Sequence, residues 1–455
     1  MQQKNIKNPL GTENVSSLLM RFAIPSIIGM LVSALYNMVD QFFIGRSVGM
    51  LGNAATNVAF PLVITCTAIS LMCGIGGAAN FNLSMGRGQK RRASYFAGNA
   101  IVMLFSLGIF LALITRLFLK PMMILFGATP EVLGYSLTYT GITSLGFPFL
   151  ILTTGGTNLI RADGSPKFSM SCTLIGALIN TILDPLFIFV FDMGIAGAAW
   201  ATVIGQVISC VIVIMYLRNF KTVPLNKEAL KPRFHYWTKI AGLGTAPCFN
   251  QLSIMVVQIV MNNILIRYGA NSSYGSEIPL ACAGIITKVN MIFFSLNIGI
   301  AQGLQPIISF NYGARKLDRV RETFLKAAAA STAVSIVAFL CFQLFPREII
   351  GIFGSESEAY FQFAEKFFRI FLFCTFLNGL QPIAANFFTA IGKASRGVFL
   401  SLTRQIIFLL PLMIILPMFF GIEGVMFSAP IADFIAAAFA IIFSVKELRR
   451  FQTIQ

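Results

Sequence analysis

Three acidic residues lie well inside long apolar stretches of the chain: Asp40, Asp184 and Asp433. The remaining acids fall in polar segments or at the ends of apolar runs, as Glu423 does. An ionised carboxylate deep in a bilayer is costly, so such residues bind an ion, carry a proton or pair with a cation. These three aspartates are therefore the first candidates for a functional site.

Polar side chains at helical spacing accompany two of these acids. Asn180 precedes Asp184 by one helical turn and shares its face, and Tyr36 stands in the same relation to Asp40. Pro185 has no backbone N–H, which leaves the carbonyl of Thr181 free to bind an ion, a water or a side chain.

The apolar run after Pro185 adds a further polar face. Ala198, Thr202 and Gln206 follow one another at four-residue intervals and line one side of a helix. Together with Asp40, Asp184 and Asn180, these residues predict a site for a proton or a small cation, with Na⁺ as the one metal ion it could hold.

Two basic residues, Lys288 and Arg404, also fall within apolar runs. Each could pair with an acid or bind an anion, although snorkelling or a structural ion pair is the favoured interpretation. Asp433 and Lys288 form a possible polar site in the second part of the chain.

Composition places the chain in a membrane. Of 455 residues, 56% are apolar and 11% are charged, whereas a soluble chain carries about 25% charged residues. Disordered proteins, secreted disulfide-rich scaffolds and ordinary soluble enzymes are excluded. The net charge of +17 lies mostly in short stretches between apolar runs, so we expect no nucleic-acid partner. With His235 as the single histidine, a histidine-based metal site or catalytic triad is excluded.

Twelve apolar runs are long enough to span a bilayer, which takes about 20 residues, and they predict an all-α bundle. The runs are 22–44, 54–80, 95–118, 133–158, 168–190, 194–217, 241–266, 279–309, 327–346, 367–388, 396–420 and 423–445. Of the 34 Lys and Arg residues, 25 fall on one side of this arrangement. The positive-inside rule places that side and both termini in the cytoplasm.

An internal repeat divides the chain. Gly194-Ile195-x-Gly197 recurs as Gly421-Ile422-x-Gly424, and Pro185 recurs as Pro411. Six spans in each half give two parallel repeats about an axis along the membrane normal. The predicted units are a first half, 1–217, a cytoplasmic connector, 218–239, and a second half, 240–455.

The two halves differ in their polar residues. Asn180 and Asp184 correspond to Ile406 and Leu410 in the second half, whereas Gln206 corresponds to Asp433. The chemistry is therefore expected mainly in the first half.

These motifs resemble the multidrug and toxic compound extrusion (MATE) family of transporters. The family's first helix is similar to Pro25 followed by DQFFIG at 40–45, and its fifth and sixth helices to NTILDP at 180–185 with GIAGAAWAT at 194–202. The run QPIISFNYGA at 305–314 is similar to the MepA-like bacterial subgroup, close to the DinF-like branch. The resemblance covers nearly the whole chain.

The resemblance implies a V-shaped pair of six-helix bundles around a central cavity. In DinF-like members, residues matching Asp40, Asn180, Asp184 and Thr202 bind the coupling cation. Residues matching Tyr36, Tyr139 and Asn158 belong to the same hydrogen-bond network. The acids that NorM-type members use for sodium are absent, and the seventh helix offers Gln251, Gln258 and Asn262 instead.

The function implied is multidrug efflux: secondary active export of cationic lipophilic drugs or dyes, coupled to H⁺, with Na⁺ as the alternative ion. We expect a monomer in the bacterial inner (cytoplasmic) membrane that contributes to antibiotic resistance, needs no cofactor and is not an enzyme.

Three alternatives remain open. A major facilitator transporter also has two six-helix halves, but its usual acid is missing from the loop Gly86-Arg87-Gly88-Gln89-Lys90-Arg91-Arg92. A lipid-linked sugar flippase would line its cavity with more basic residues. An intramembrane aspartyl protease is the remote alternative, because its Tyr-Asp and Gly-x-Gly-Asp motifs are absent: Val39 precedes Asp40 and Leu183 precedes Asp184.

Overall fold

The computed structural model describes residues 8–272, 274–275, 277–352 and 358–454. Within them, twelve helical spans are long and apolar enough to cross a membrane, which confirms the predicted all-helical fold. The spans are α1 (Val15–Val48), α2 (Met50–Gly86), α3 (Lys90–Leu117), α4 (Pro130–Ala162), α5 (Pro166–Val190), α6 (Gly194–Arg218), α7 (Phe234–Ala270), α8 (Ile278–Gly313), α9 (Leu317–Leu344), α10 (Tyr360–Ala390), α11 (Ala394–Phe420) and α12 (Ile422–Thr453).

Most spans extend beyond the apolar runs that predict them. Met50–Gly86 has 37 residues, which at 1.5 Å per residue is about 55 Å, well over the bilayer's apolar thickness. Two short helices, Leu119–Leu125 and Pro346–Gly351, follow α3 and α9 and were not predicted. Hydropathy detects only the apolar stretch of each helix. It therefore underestimates the length of helices that continue into polar turns at their ends.

Several spans are interrupted. In α4, a 3₁₀ turn at Ser144–Gly146 separates Pro130–Thr143 from Phe147–Ala162. A π-helical turn, Leu186–Val190, directly follows Pro185 in α5, and another, Thr403–Leu409, precedes Pro411 in α11. Proline removes a backbone donor, so the helix is weakened at these repeat-related positions.

Glycines on α2, α7 and α8 allow the two halves to touch. A Cβ on Gly76 would lie 2.0 Å from the carbonyl oxygen of Ile240, and a Cβ on Gly244 would lie 1.8 Å from that of Met72. Similar approaches join the halves at four more positions, and all six define the glycine seam: Gly76, Gly86, Gly244, Gly299, Gly303 and Gly313. The seam lies toward the helix ends that carry the basic loops.

Residues 8–22, here called the N-terminal arm, pack on the second half. Leu10, Leu18 and Phe22 are buried in a cluster with Leu304 and other residues of α8 to α12. The arm thus belongs to the first half in the chain but shares a core with the second half.

Cations of the second half also bind the arm's backbone. Lys316 Nζ donates to the carbonyl of Gly11 at 2.7 Å, and Arg319 donates to the carbonyls of Leu10 at 3.2 Å and Glu13 at 2.6 Å. Apolar burial and charged hydrogen bonds therefore both fix the arm to the second half.

The connector is shorter than predicted, because α7 begins at Phe234 rather than near residue 240. It is held against the first half: the Asp163 carboxylate accepts from the backbone N–H of Lys221 at 2.7 Å and of Thr222 at 3.0 Å. Burial raises the pKa of Asp163, and these hydrogen bonds oppose that shift. The connector is thus attached to the first half rather than being a free tether.

Candidate functional site

Asp40 and Asp184 come together where α1 packs on α5. Asp184 is fully buried and Asp40 is 9% exposed. The two carboxyl groups lie in the same buried region and interact electrostatically. Both acids therefore lie inside the bundle rather than at its surface.

Asn180 organises the site around Asp184. Its side-chain amide donates to Asp184 Oδ1 at 3.2 Å and to the hydroxyl of Thr202 at 3.3 Å. Helices α5 and α6 are thereby joined through one amide. Ala198, one turn before Thr202, is fully buried and contributes only a methyl group.

Three oxygens in this cluster receive no hydrogen bond from the described residues: Asp40 Oδ1, Asp184 Oδ2 and Asn180 Oδ1. Buried polar atoms are normally paired, and an exception calls for a specific explanation. An oxygen that accepts no hydrogen bond has a lone pair free to bind a proton or a hard cation. The described residues hold no group of three or more His, Cys, Asp or Glu that could bind a metal ion.

Two tyrosines lie beside the acids. Tyr36 on α1 and Tyr139 on α4 each interact electrostatically with Asp40 and Asp184. Tyr139 is buried, and Tyr36 is half-buried. The structure therefore assembles six polar residues from four helices: Tyr36, Asp40, Tyr139, Asn180, Asp184 and Thr202.

Asn158 lies elsewhere. It follows Tyr139 by 19 positions on α4, which is about 28 Å along a helix. Its side-chain oxygen instead accepts from Arg161 at 3.5 Å, and Arg161 also donates to Gln302 of the second half at 2.7 Å. From the sequence, Arg161 belongs to a basic loop. Because its partner Gln302 is 141 positions away, no local pattern indicated this buried contact between the halves.

Gln206 packs against the interruption in α4. Its Oε1 atom lies 2.1 Å from the point that a Cβ on Gly146 would occupy. This oxygen is buried and accepts no hydrogen bond among the described residues. Gln206 thus shares a helix face with Thr202, but its contact is with the 3₁₀ turn.

The acid of the second half is already paired. Arg404 Nε donates to Asp433 Oδ1 at 2.5 Å, and the two side chains are 8% and 1% exposed. The guanidinium also lies 5.0 Å from the ring centre of Phe294. Lys288 is exposed, and no salt bridge joins it to Asp433 within the described part of the chain. Arg404 is therefore the counter-ion that sequence could not assign.

Comparisons with known proteins agree with this architecture. The MatE family model matches residues 25–186 and 247–415, once in each half. Multidrug export protein MepA of Staphylococcus aureus (strain N315) is 24% identical over 94% of this chain and 93% of its own length. MepA of Staphylococcus haemolyticus is 26% identical over 97% and 95%.

Two solved structures are similar in fold. A multidrug resistance MATE transporter of the MOP superfamily, in an outward-facing conformation, gives a TM-score of 0.89 with 20% identity over 97% of this chain and 99% of its own. A MOP superfamily transporter from Pyrococcus furiosus gives 0.91 with 20% identity over 99% and 100%.

Proposed function

Because this chain belongs to the MatE family of transporters, we propose that it exports cationic, lipophilic drugs or dyes in exchange for protons. Its curated relatives are named multidrug export proteins. Membership of the MatE family excludes the two alternatives that belong to other families, the major facilitator transporter and the intramembrane protease. A lipid-linked sugar flippase would need more basic residues toward the cavity. Of the two cations well inside the predicted apolar runs, Arg404 is paired with Asp433, which leaves Lys288.

The observation that carries the proposal is the buried pair of Asp40 and Asp184. Two ionised carboxylates in contact repel each other strongly in a medium of low dielectric constant. A proton between them removes one charge, and its loss restores an acidic site that attracts a cationic drug. Proton and drug thus compete for one state of the same site, which is the requirement for antiport.

Helix α1 offers a route from this pair to the rest of the molecule. Its later part carries Asp40, whereas its earlier part packs on α8, where Cβ atoms on Gly299 and Gly303 would lie 2.6 Å from Ile27 and 2.7 Å from Ala23. Pro25, which has no backbone N–H to donate, lies within the helix between the arm and the acid. We propose that protonation lets α1 bend near Pro25 or Gly29, which alters its contact with the second half.

The same oxygens could hold Na⁺, so sodium is the alternative coupling ion. Asn180 and Thr202 would then act as neutral ligands beside the two carboxylates. The second half is not proposed as an ion site, because Asp433 is neutralised by Arg404.

We propose a monomer in the bacterial cytoplasmic membrane with the basic loops and both termini in the cytoplasm. The two halves, predicted as 1–217 and 240–455, are proposed as the moving units. The connector between α6 and α7, residues 219–233, travels with the first half, whereas the N-terminal arm and α7 stay with the second half. The hydrogen bonds from Lys221 and Thr222 to Asp163 support that division.

Proteoliposomes test the function directly. Purified protein is reconstituted, and ethidium transport is followed with a pH gradient or a sodium gradient imposed separately. We expect transport under the pH gradient alone. Transport under the sodium gradient alone would assign the coupling to Na⁺. The absence of transport under both gradients, with protein confirmed in the liposomes, would contradict the proposal.

A further inference from the structure

A cavity of about 290 Å³ lies at the basic-loop end of the molecule, between the two halves. The first half supplies residues of α2 and α3, and the second half supplies the start of α7 and the loop before α11. The cavity is therefore complete only while the halves are together at this end.

Three cations line this cavity: Arg87, Arg92 and Lys239. No carboxylate is among its described lining residues, and none of the three cations forms a salt bridge in the part of the chain that the structure describes. Arg92 donates to the Gln89 side chain at 3.3 Å, a neutral partner. Three positive charges thus line one open pocket, and none of them has a counter-ion among the described residues.

Helix α11 adds backbone donors. Its first residue, Ala394, lines the cavity, and the helix N-terminus has no side-chain cap. Uncapped N-terminal amides attract anions, and phosphate groups in particular. The apolar residues Leu83, Phe96 and Leu243 form another part of the wall, beside Asn80 and Ser84, which suits a ligand that carries both a charged group and carbon.

A second basic cavity provides a contrast. It is lined by Arg21, Lys167 and Lys221, but Arg21 pairs with Glu13 at 3.3 Å and Lys221 donates to Ser165 at 2.8 Å. One of its three cations, Arg21, is therefore ion-paired, whereas none of the three in the first cavity has a counter-ion among the described residues.

We propose that the cavity of Arg87, Arg92 and Lys239 binds a phosphate-bearing anion, as a lipid headgroup or as free phosphate, and that the bound anion holds the halves together at this end. Basic pockets between membrane helices on the cytoplasmic side recognise anionic headgroups. A ligand that binds one arrangement of the halves better than another shifts the population toward it. This regulatory step rests on the proposed alternating movement of the halves.

Thermal unfolding of the purified full-length protein measures binding. Phosphatidylglycerol is added in mixed micelles, with phosphatidylcholine as the neutral comparison, and inorganic phosphate is compared with chloride at equal ionic strength. We expect phosphatidylglycerol to raise the unfolding temperature. A rise with inorganic phosphate as well assigns recognition to the phosphate alone, whereas a rise with lipid only assigns it to the whole headgroup.

The double variant Arg87→Gln/Lys239→Gln removes a cation from each half. We expect its apparent affinity for the anion to fall about tenfold, because two charge-assisted contacts are lost. Lys90→Gln/Lys446→Gln is the matched control, since both residues are exposed basic-side cations outside the cavity. No rise in unfolding temperature with either anion, or an equal loss in both double variants, would overturn the site.

Labels at Lys227→Cys and Arg450→Cys, placed in a cysteine-free background, report the distance between the halves. Both positions are exposed. The anion should increase the population with the short distance in the parent protein and leave Arg87→Gln/Lys239→Gln unchanged. An unchanged distribution in the parent would overturn the proposed effect on the halves. Neither measurement uses a drug or an ion gradient, so failure of the export hypothesis would be seen separately.

Discussion

The same residue type, aspartate, is placed in two opposite electrostatic situations. Asp184 is oriented by a neutral amide, Asn180, and faces a second acid. Asp433 is held by the guanidinium of Arg404. An acid whose neighbours are neutral or acidic can still bind a cation from solution. An acid that is already paired with a basic side chain cannot. Neighbours, rather than depth in the membrane, therefore separate the proposed coupling site from a structural ion pair.

Replacing either member of the coupling pair should stop proton-driven export. Asp40→Asn and Asp184→Asn preserve side-chain shape but remove the titratable group. We expect each to lower ethidium efflux driven by a pH gradient by on the order of 100-fold, comparable with a large coupling free energy. Proteoliposome transport measures the effect, and thermal unfolding verifies the fold. If both variants transport at the normal rate, coupling does not reside in the first half.

Asp433→Asn should affect stability more than coupling. The change leaves Arg404 buried without its counter-ion, and breaking such a pair costs about 3–5 kcal/mol. Denaturant unfolding should show this loss, while the dependence of transport on the pH gradient persists. The double variant Arg404→Met/Asp433→Leu should recover most of the stability, because it removes both charges. Loss of proton coupling in that stable double variant would show that the second half also couples.

At the scale of elements, the glycine seam sets how closely α2 can approach α7. The backbones of the two helices are in direct contact at these glycines. A side chain at Gly76 or Gly244 would therefore meet a backbone carbonyl group rather than a flexible side chain. Small residues permit this close packing of membrane helices. The seam thus makes the contact between the halves sensitive to single methyl groups.

Gly244→Ala tests this sensitivity, with Gly242→Ala as its control on the same helix. The added methyl at 244 would lie 1.8 Å from the Met72 carbonyl, whereas a Cβ at 242 meets nothing within 4 Å. We expect Gly244→Ala to destabilise the closed contact by about 1–3 kcal/mol. Distance measurements between the labels described above should show the halves further apart. Equal distances in the two variants would contradict the role assigned to the seam.

The parts of the fold that depend on local pattern were predictable. Span number follows from apolar length, and the acids inside spans follow from the rarity of charge there. Contacts between distant segments were not predictable, because no local signal marks them. Arg161 bonds to Gln302, and the arm packs on α8, only after the helices have assembled. Asn158 shows the converse: family resemblance assigned it to the acidic cluster, yet its position on α4 places it near the seam.

At the scale of the whole molecule, the basic loops orient the protein. Lys227 in the connector is exposed, and the positive-inside rule places it in the cytoplasm. In a cysteine-free background, Lys227→Cys should resist a membrane-impermeant thiol reagent in intact cells and react after the cells are opened. Labelling in intact cells would instead show that the connector lies outside the cytoplasm. The topology would then be the reverse of the proposed one, with the glycine seam toward the outer face of the membrane.

The N-terminal arm has a consequence for how the protein is made. A growing chain folds its early segments first as they leave the ribosome, but the surfaces that bury Leu18 and Phe22 belong to helices α8 to α12. Lys316 and Arg319, which bind the arm's carbonyls, are likewise synthesised some 300 residues later. The arm must wait, with its apolar side chains in the lipid or in a chaperone, until most of the polypeptide has been inserted. The arm, which is translated before the helices that bury it, thus reaches its final packing only after they have been made.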